Sequence, residues 1–300
     1  MKIAVMGAGA VGCYYGAMLA LAGHPVTMIG RQAHATAMAS NGVILLKAGE
    51  THRAPVQATT EPSGVADADL VLISVKSDDT VAAAEAIAPY LKSDSRILSL
   101  QNGVDNAERL EAVFGRAVIP AAVYVAVETV AAGKVRHNGR GELVIGTGPA
   151  SAELARTFAQ AGIPTDVSEN VAAVLWTKLT VNCAYNALCA IGQLPYGPMV
   201  SVNGVAEVMT DVVKECRAVA QAAGISLPDN LIGTVMGLAA AMPSQFSSTA
   251  QDLQRRKKTE IEHLNGYVVR TAEKFGLSVP ANRTLLACVR LLEEANRRTA

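Results

Sequence analysis

The chain has no excess of charge of either sign: among its 300 residues, 26 Lys and Arg are matched by 26 Asp and Glu. A protein that grips a phosphate backbone carries a basic surplus, so nucleic acid is not an expected partner. Long apolar runs are missing too, and none approaches the ~20 residues needed to span a bilayer. The most apolar stretches, 118–127 and 231–242, are broken by Pro, Gly or a nearby charge and read as core, so no membrane partner is expected. The five cysteines (Cys13, Cys183, Cys189, Cys216, Cys288) are scattered, odd in number and without metal-ligand spacing. No metal is expected, and a reduced, cytoplasmic protein fits them best. Internal repeats and low-complexity segments are absent. A secretory leader is not expected either, because residues 2–6 already read as a strand running into glycines.

What is present is apolar material: half of the chain is hydrophobic, enough for a large core and more in keeping with two domains than one. Residues 2–6 form a short apolar run, residues 10–22 have helical spacing with small residues, and residues 25–29 are strand-like. Strand, glycine turn, helix, strand is the unit of a parallel sheet. The alternation continues with a strand at 69–75, a helix at 79–91, a strand at 96–100 and a helix at 105–114 that Asp105 is placed to cap. Strands at 118–128, 134–137 and 142–145, joined by Gly-rich turns, suggest an antiparallel extension. A helix at 152–161 and a short strand at 165–167 follow. From Ser168 and Glu169, a helix start, the texture changes to long helical segments. The predicted architecture is α/β, with a Rossmann-type dinucleotide-binding domain over 1–168 and a mostly helical domain over 169–300.

The turn Gly7-Ala8-Gly9-Ala10-Val11-Gly12 is a GxGxxG pattern in the right context, after a strand and opening a helix. Gly7 permits the tight turn, Gly9 lets backbone approach a pyrophosphate, and Gly12 allows close helix–strand packing. The helix N-terminus offers N–H groups and a positive dipole end. NAD-binding versions carry Asp or Glu at the end of the second strand, yet no Asp or Glu occurs between Gly7 and Glu50. The second strand ends instead in Gly30-Arg31. A guanidinium there pairs with a 2′-phosphate, and no carboxylate close by in the sequence repels it, so NADPH is expected rather than NADH. The plain alternative for Arg31 is a solvated loop arginine.

In the stretch 176–186, Lys178, Asn182 and Asn186 recur at every fourth residue and drift only roughly 40° per step, so they share one helix face. Their neighbours Val174, Leu175, Leu179, Val181, Ala184 and Leu188 are apolar. Polar groups on such a helix either line a cavity or form a partly exposed face whose asparagines bond neighbouring loops. In a cavity, a lysine and two amides can polarise a carbonyl and hold a carboxylate. A further helical stretch is expected across 251–262, with the basic run 255–258 as a solvated face. Ile261, Leu264 and Tyr267 mark its buried side, beside which Glu260 is placed to meet Lys178.

Taken in order, the glycine turn, Val75-Lys76-Ser77, Gln101-Asn102-Gly103, the Trp176-x-Lys178-Leu179-x-x-Asn182-x-x-x-Asn186 helix and Ser247-Ser248-x-x-Gln251-Asp252 leading to Thr259-Glu260-Ile261 resemble the ketopantoate reductase family over essentially the whole chain. The resemblance implies reduction of a 2-keto acid by hydride from NADPH, on the route to pantothenate and coenzyme A. It implies Lys178 as general acid, Lys76 and Asn102 as cofactor contacts with Asn102 also reaching substrate, and Ala126 as a backbone contact to the cofactor. Asn182, Asn186 and Ser248 would bind substrate oxygens, and Glu260 would interact with Lys178, the cofactor ribose or the substrate. Two positions depart from the family: Tyr196 and Gln245 stand where asparagines near the substrate are expected.

Those departures keep a second 2-keto acid reductase in play, a mandelate-type D-2-hydroxy acid dehydrogenase with a bulkier pocket. A non-catalytic NADPH-binding sensor is the alternative of another class, against which Lys178, Ser248 and Glu260 all speak. Helical C-terminal domains often mediate dimers, so a homodimer is the assembly to test for, although no surface stripe in the sequence marks an interface.

Overall fold

The computed structural model describes residues 1–298, which divide into a unit spanning Met1–Val171 and a second beginning at Ala172. The first is the α/β unit. Its elements in chain order are β1 (Ile3–Met6), α1 (Ala10–Leu21), β2 (Val26–Ile29), α2 (Gln32–Asn41), β3 (Val43–Lys47), β4 (Glu50–Ala54), β5 (Gln57–Thr59), β6 (Leu70–Ile73), α3 (Thr80–Ile87), β7 (Arg96–Ser99), α4 (Asn106–Phe114), β8 (Ile119–Ala131), β9 (Lys134–Gly146), α5 (Ser151–Gln160) and β10 (Thr165–Ser168).

One sheet runs in the order β4-β3-β9-β8-β7-β6-β1-β2-β5, with β10 beside β9. Strands β5, β2, β1, β6, β7 and the start of β8 are mutually parallel. Because β1 lies between β2 and β6, the chain departs to one side of it and returns to the other. The crevice at such a reversal, outside the carboxyl ends of the strands, is where open α/β sheets bind ligands. The glycine turn lies there.

Strand β6, Leu-Val-Leu-Ile, is buried along its whole length. Leu70 and Leu72 join the core that contains Leu19, Met28 and Phe158, while Val71 and Ile73 join the one that contains Ala84, Ile87 and Leu110. Alternate side chains thus fill two cores on opposite faces of the sheet, which is why the run is continuously apolar. Tyr14 and Tyr15 of α1 are buried as well; Tyr15 donates to the Gly141 carbonyl at 3.3 Å, and Tyr14 stacks on His137.

Several elements differ from expectation. The helix anticipated over 79–91 is regular only through Ile87 and closes as a 3₁₀ turn at Ala88–Tyr90. Pro89 within that turn has no N–H to continue the α-helical pattern. Asp105 stands before α4 but does not cap it: its φ and ψ of −103° and −4° are helical rather than extended, and its buried Oδ1 has no hydrogen-bond partner among the described residues. The two short strands expected at 134–137 and 142–145 are one strand, β9, paired antiparallel with β8 through three register shifts. Helix α2, the β3–β4 hairpin and β5 are additional elements, outside the alternation expected from the sequence. Ser168 does not cap the next helix, which begins at Val171; its Oγ accepts from Asn170 N at 3.2 Å and closes a side-chain turn ahead of it.

The second unit is helical: α6 (Val171–Gly192, its first residue in the α/β unit), α7 (Tyr196–Val200), α8 (Val205–Ala222), α9 (Leu231–Ala241), α10 (Ser248–Gln254), α11 (Asn265–Lys274) and α12 (Pro280–Arg298). Half the residues of α6 are buried, including Leu175, Leu179, Cys183, Ala184 and Tyr185. Buried polar bonds fasten its neighbours to it. Tyr185 donates to the Val235 carbonyl of α9 at 2.7 Å, and Asn265 donates to the Cys183 carbonyl at 3.2 Å. Asn265 also donates to Asn282 of α12 at 3.0 Å. Glu215 of α8 accepts from the N–H groups of Ala281 and Asn282, so the open start of α12 is capped by another helix. All five cysteines are free thiols. Among the described residues, no helix is long and apolar enough to cross a membrane.

Candidate active site

In the α/β unit the site is built around a backbone crossing with no room for side chains. Gly7 has φ of +110°, and a Cβ on it would lie 2.7 Å from the Ser74 carbonyl carbon. A Cβ on Gly12 would collide with the Gly7 carbonyl oxygen and the Ser74 hydroxyl. Ser74, the first residue past β6, closes this crossing by donating from Oγ to Gly7 O at 2.8 Å and from its N–H to Met6 O at 2.8 Å. Its role was not visible in the sequence, where it is only a polar residue ending an apolar run.

Gly9 is the opposite case. It is exposed, precedes α1, and a Cβ there would meet nothing within 4 Å. That open space, at a helix start with no side-chain cap and no acidic residue in its first turn, fits a pyrophosphate on the backbone of residues 7–12. Cys13 lies beneath the turn and donates from Sγ to Ala8 O at 3.4 Å; burial pushes its thiol up to about 12, so it adds no negative charge there.

Arg31 ends the loop after β2 and its side chain is 92% exposed. No carboxylate is near Arg31 in the sequence, but the fold supplies one: Asp79, from the turn after β6, lies 4.0 Å from its guanidinium. Both side chains are largely in water, so the pair contributes at most about 1 kcal/mol and competes only weakly with a phosphate.

Lys76 is exposed in the loop after β6, and Asn102 is half-buried in the loop after β7. Both therefore stand at the carboxyl ends of adjacent central strands. Ala126 lies in β8 opposite Gly139, between two register shifts that disturb the ladder at Tyr124/Val125 and Ala126/Val127. Such bulges leave backbone groups aimed away from their usual partners.

In the helical unit, Lys178 and Asn182 are half-buried on α6, and Asn186, on the same face, is 4% exposed. Ser247 joins the start of α10 to this helix. Its Oγ donates to Asn186 O at 3.2 Å and accepts from Ala250 N at 3.1 Å, while its N–H meets Cys189 Sγ at 3.2 Å. Ser248, the next residue, is exposed at the first position of α10 and is thereby held beside the Asn186 end of the face. The helix expected across 251–262 is corrected: α10 stops at Gln254, Arg256 has φ of +52°, and residues 255–260 form an irregular connection. Glu260 is half-buried at its end, just before the 3₁₀ turn Ile261–His263, and its carbonyl accepts from His263 N at 2.9 Å.

The two departures from the family pattern are neighbours. Tyr196 N donates to Gln245 O at 2.9 Å, and Gly197 N donates to Pro243 O at 2.9 Å. Tyr196 is 8% exposed, with its ring centroid 4.5 Å from that of Tyr185, and burial raises its phenol pKa. Gln245 donates its amide to the carbonyl of Phe246 at 2.6 Å. The tyrosine therefore serves as core packing for α6 and α7.

These contacts separate the glycines by role. Gly12→Ala is expected to cost about 1–3 kcal/mol of unfolding free energy despite its gain in helix propensity, because backbone must move to admit the methyl group. Gly9→Ala should cost less than about 1 kcal/mol. Urea titration of both variants checks this, and equal losses would contradict it.

Comparison with known proteins identifies the family. The family model "Ketopantoate reductase PanE/ApbA" matches residues 3–150, and "Ketopantoate reductase PanE/ApbA C terminal" matches residues 170–293. A curated 2-dehydropantoate 2-reductase of Halobacterium salinarum is 34% identical over 98% of this chain and 99% of its own. The crystal structure of a PanE/ApbA family ketopantoate reductase from Ralstonia eutropha JMP134 superposes with a TM-score of 0.96 at 52% identity, covering 99% of this chain and 100% of that one. A D-mandelate dehydrogenase solved with NADH and anilino(oxo)acetate has a TM-score of 0.93 over 99% of this chain and 100% of its own, but at 24% identity it shows a common fold alone. With both family models in their proper order and together spanning most of its length, the chain belongs to the ketopantoate reductase family.

Proposed function

We propose that the chain is an NADPH-dependent 2-dehydropantoate 2-reductase, a cytoplasmic enzyme that converts ketopantoate to (R)-pantoate on the route to pantothenate and coenzyme A. The observation that carries the reading is the α6 face, where Lys178, Asn182 and Asn186 share one side of a largely apolar helix, half of whose residues are buried. Desolvating a cation and two amides is costly unless they have work to do on a ligand or partners to bond. The identity to enzymes that carry this activity supports the same reading.

When bound, the reduced nicotinamide supplies a hydride to the C2 carbon. As negative charge grows on the C2 oxygen, the Lys178 ammonium stabilises it and then delivers a proton from Nζ, leaving a neutral hydroxyl. Asn182, Asn186 and the Ser248 hydroxyl hold the remaining substrate oxygens and fix which face of the ketone is presented. Asn102 reaches both substrate and cofactor, while Lys76, the Ala126 backbone and the turn from Gly7 to Gly12 bind the cofactor. Glu260 orients Lys178 or the cofactor ribose. Arg31 pairs with the 2′-phosphate.

Lys178→Ala should lower kcat by about 10²-fold or more while NADPH affinity, read by nucleotide fluorescence, stays within a small factor. An unchanged kcat would remove Lys178 from the acid role. Arg31→Ala should weaken NADPH by roughly tenfold or more and leave NADH nearly unaffected, since only the former carries the 2′-phosphate. Equal loss for both nucleotides would contradict that assignment.

A further inference from the structure

We infer that Asn106 is a positioning residue for the site, acting through Asn102; the inference rests on the reading of Asn102 as a ligand-contacting side chain. The ladder between β6 and β7 ends with Leu100 N donating to Ile73 O at 2.8 Å. Beyond it both strands pass into loops, one carrying Lys76 and the other Asn102, and there side chains connect them.

Asn106, the first residue of α4, is 3% exposed and stands at the centre of these connections. Its Nδ2 donates to Asn102 O at 2.6 Å and to Ser77 Oγ at 3.1 Å. Ser77 Oγ in turn donates to the same Asn102 carbonyl at 3.0 Å, so this one acceptor receives donors from both loops. The Asn106 Oδ1 accepts from Thr80 Oγ1 at 2.9 Å and from Arg109 at 3.3 Å. Thr80 Oγ1 accepts from Gln101 Nε2 at 2.7 Å, and Gln101 also donates to Val75 O at 3.1 Å. Ser99 Oγ completes the chain by donating to Gln101 Oε1 at 3.1 Å.

Ser77, Thr80, Ser99 and Gln101 are all at most 5% exposed. In such a low-dielectric setting, successive bonds polarise one another and an unmatched group is costly. A packing residue of the same size would fill the space, but it would leave the Asn102 carbonyl and Ser77 hydroxyl short of a donor. The network thus fixes the backbone of residue 102, and with it the direction of the Asn102 side chain. A displacement on the order of 1 Å at such a position can cost up to ~10²-fold in rate.

A double-mutant cycle tests this, because Asn102→Ala deletes the side chain but keeps the carbonyl that Asn106 holds. Wild type, Asn106→Ala, Asn102→Ala and the double variant are compared in kcat/KM for ketopantoate, in NADPH dissociation constant and in melting midpoint. We expect Asn106→Ala alone to lower kcat/KM or weaken NADPH by about tenfold, and to add less than roughly twofold in the Asn102→Ala background. Its melting midpoint should fall in both backgrounds, since the lost bonds are the same.

Functional losses that multiply would reduce Asn106 to general core and overturn the inference. So would an Asn106→Ala variant within twofold of wild type, or an Asn102→Ala variant with no effect. Should Asn106→Ala fail to fold, Ser77→Ala removes one of the two donors to Asn102 O and enters the same cycle with the same expectations. The NADPH measurement needs no keto acid. If the wild type reduces no ketopantoate yet coupling persists in nucleotide binding, the proposed substrate falls while the positioning role stands. If ketopantoate is reduced and the losses multiply, the positioning role alone falls.

Discussion

The constraint on which the α/β unit depends is the contact among Gly7, Gly12 and Ser74. Here the turn after β1, the first turn of α1 and the end of β6 approach so closely that no Cβ fits at either glycine. The serine hydroxyl donates across the crossing to Gly7 O. The glycine turn at the carboxyl edge of the sheet takes its place from this crossing. It sets the start of α1 directly over the point where strand order reverses, and it leaves Gly9, two residues away, facing open space. Tight packing on one side of the turn and vacancy on the other are two requirements met by the same residue type for opposite reasons.

The helical unit follows a different logic. Its organising element, α6, is too apolar to read as an ordinary amphipathic surface helix, and neighbouring helices are pinned to it by a few buried polar bonds through Tyr185, Asn265 and Ser247. Against that background the face bearing Lys178, Asn182 and Asn186 stands out as polar material without an obvious packing role. The bond from Ser247 to the Asn186 carbonyl matters because it sets the start of α10 beside this face, so that two separate stretches of sequence contribute to one surface.

Legibility in the sequence tracked the range of the interactions involved. The β1–turn–α1 unit and the face of α6 were readable because glycine spacing and the fourth-residue repeat are local. Helix α2 was not, since 32–41 offers few large apolar residues and buries only Ala35 and Met38. The place of the β3–β4 hairpin in the sheet was not legible, because its pairing with β9 joins residues nearly a hundred positions apart. The charged run 255–260 looked helical by composition, yet a positive φ at Arg256 and a bond from Thr259 N to Glu293 hold it as an irregular connection. Asp79 beside Arg31 and the Ser77–Thr80–Asn106 network are likewise products of the fold. They bring together side chains that spacing alone does not connect.

The most direct test of the account is steady-state oxidation of NADPH by the purified protein with ketopantoate, phenylglyoxylate, pyruvate and ketoisovalerate in parallel. With Tyr196 buried against Tyr185 and Gln245 bonded to its own chain, ketopantoate should give the highest kcat/KM by at least about tenfold, a difference of ~1.4 kcal/mol in transition-state binding. A higher value for phenylglyoxylate would contradict the assignment and make the neighbourhood of Tyr196 and Gln245 the determinant of a different specificity.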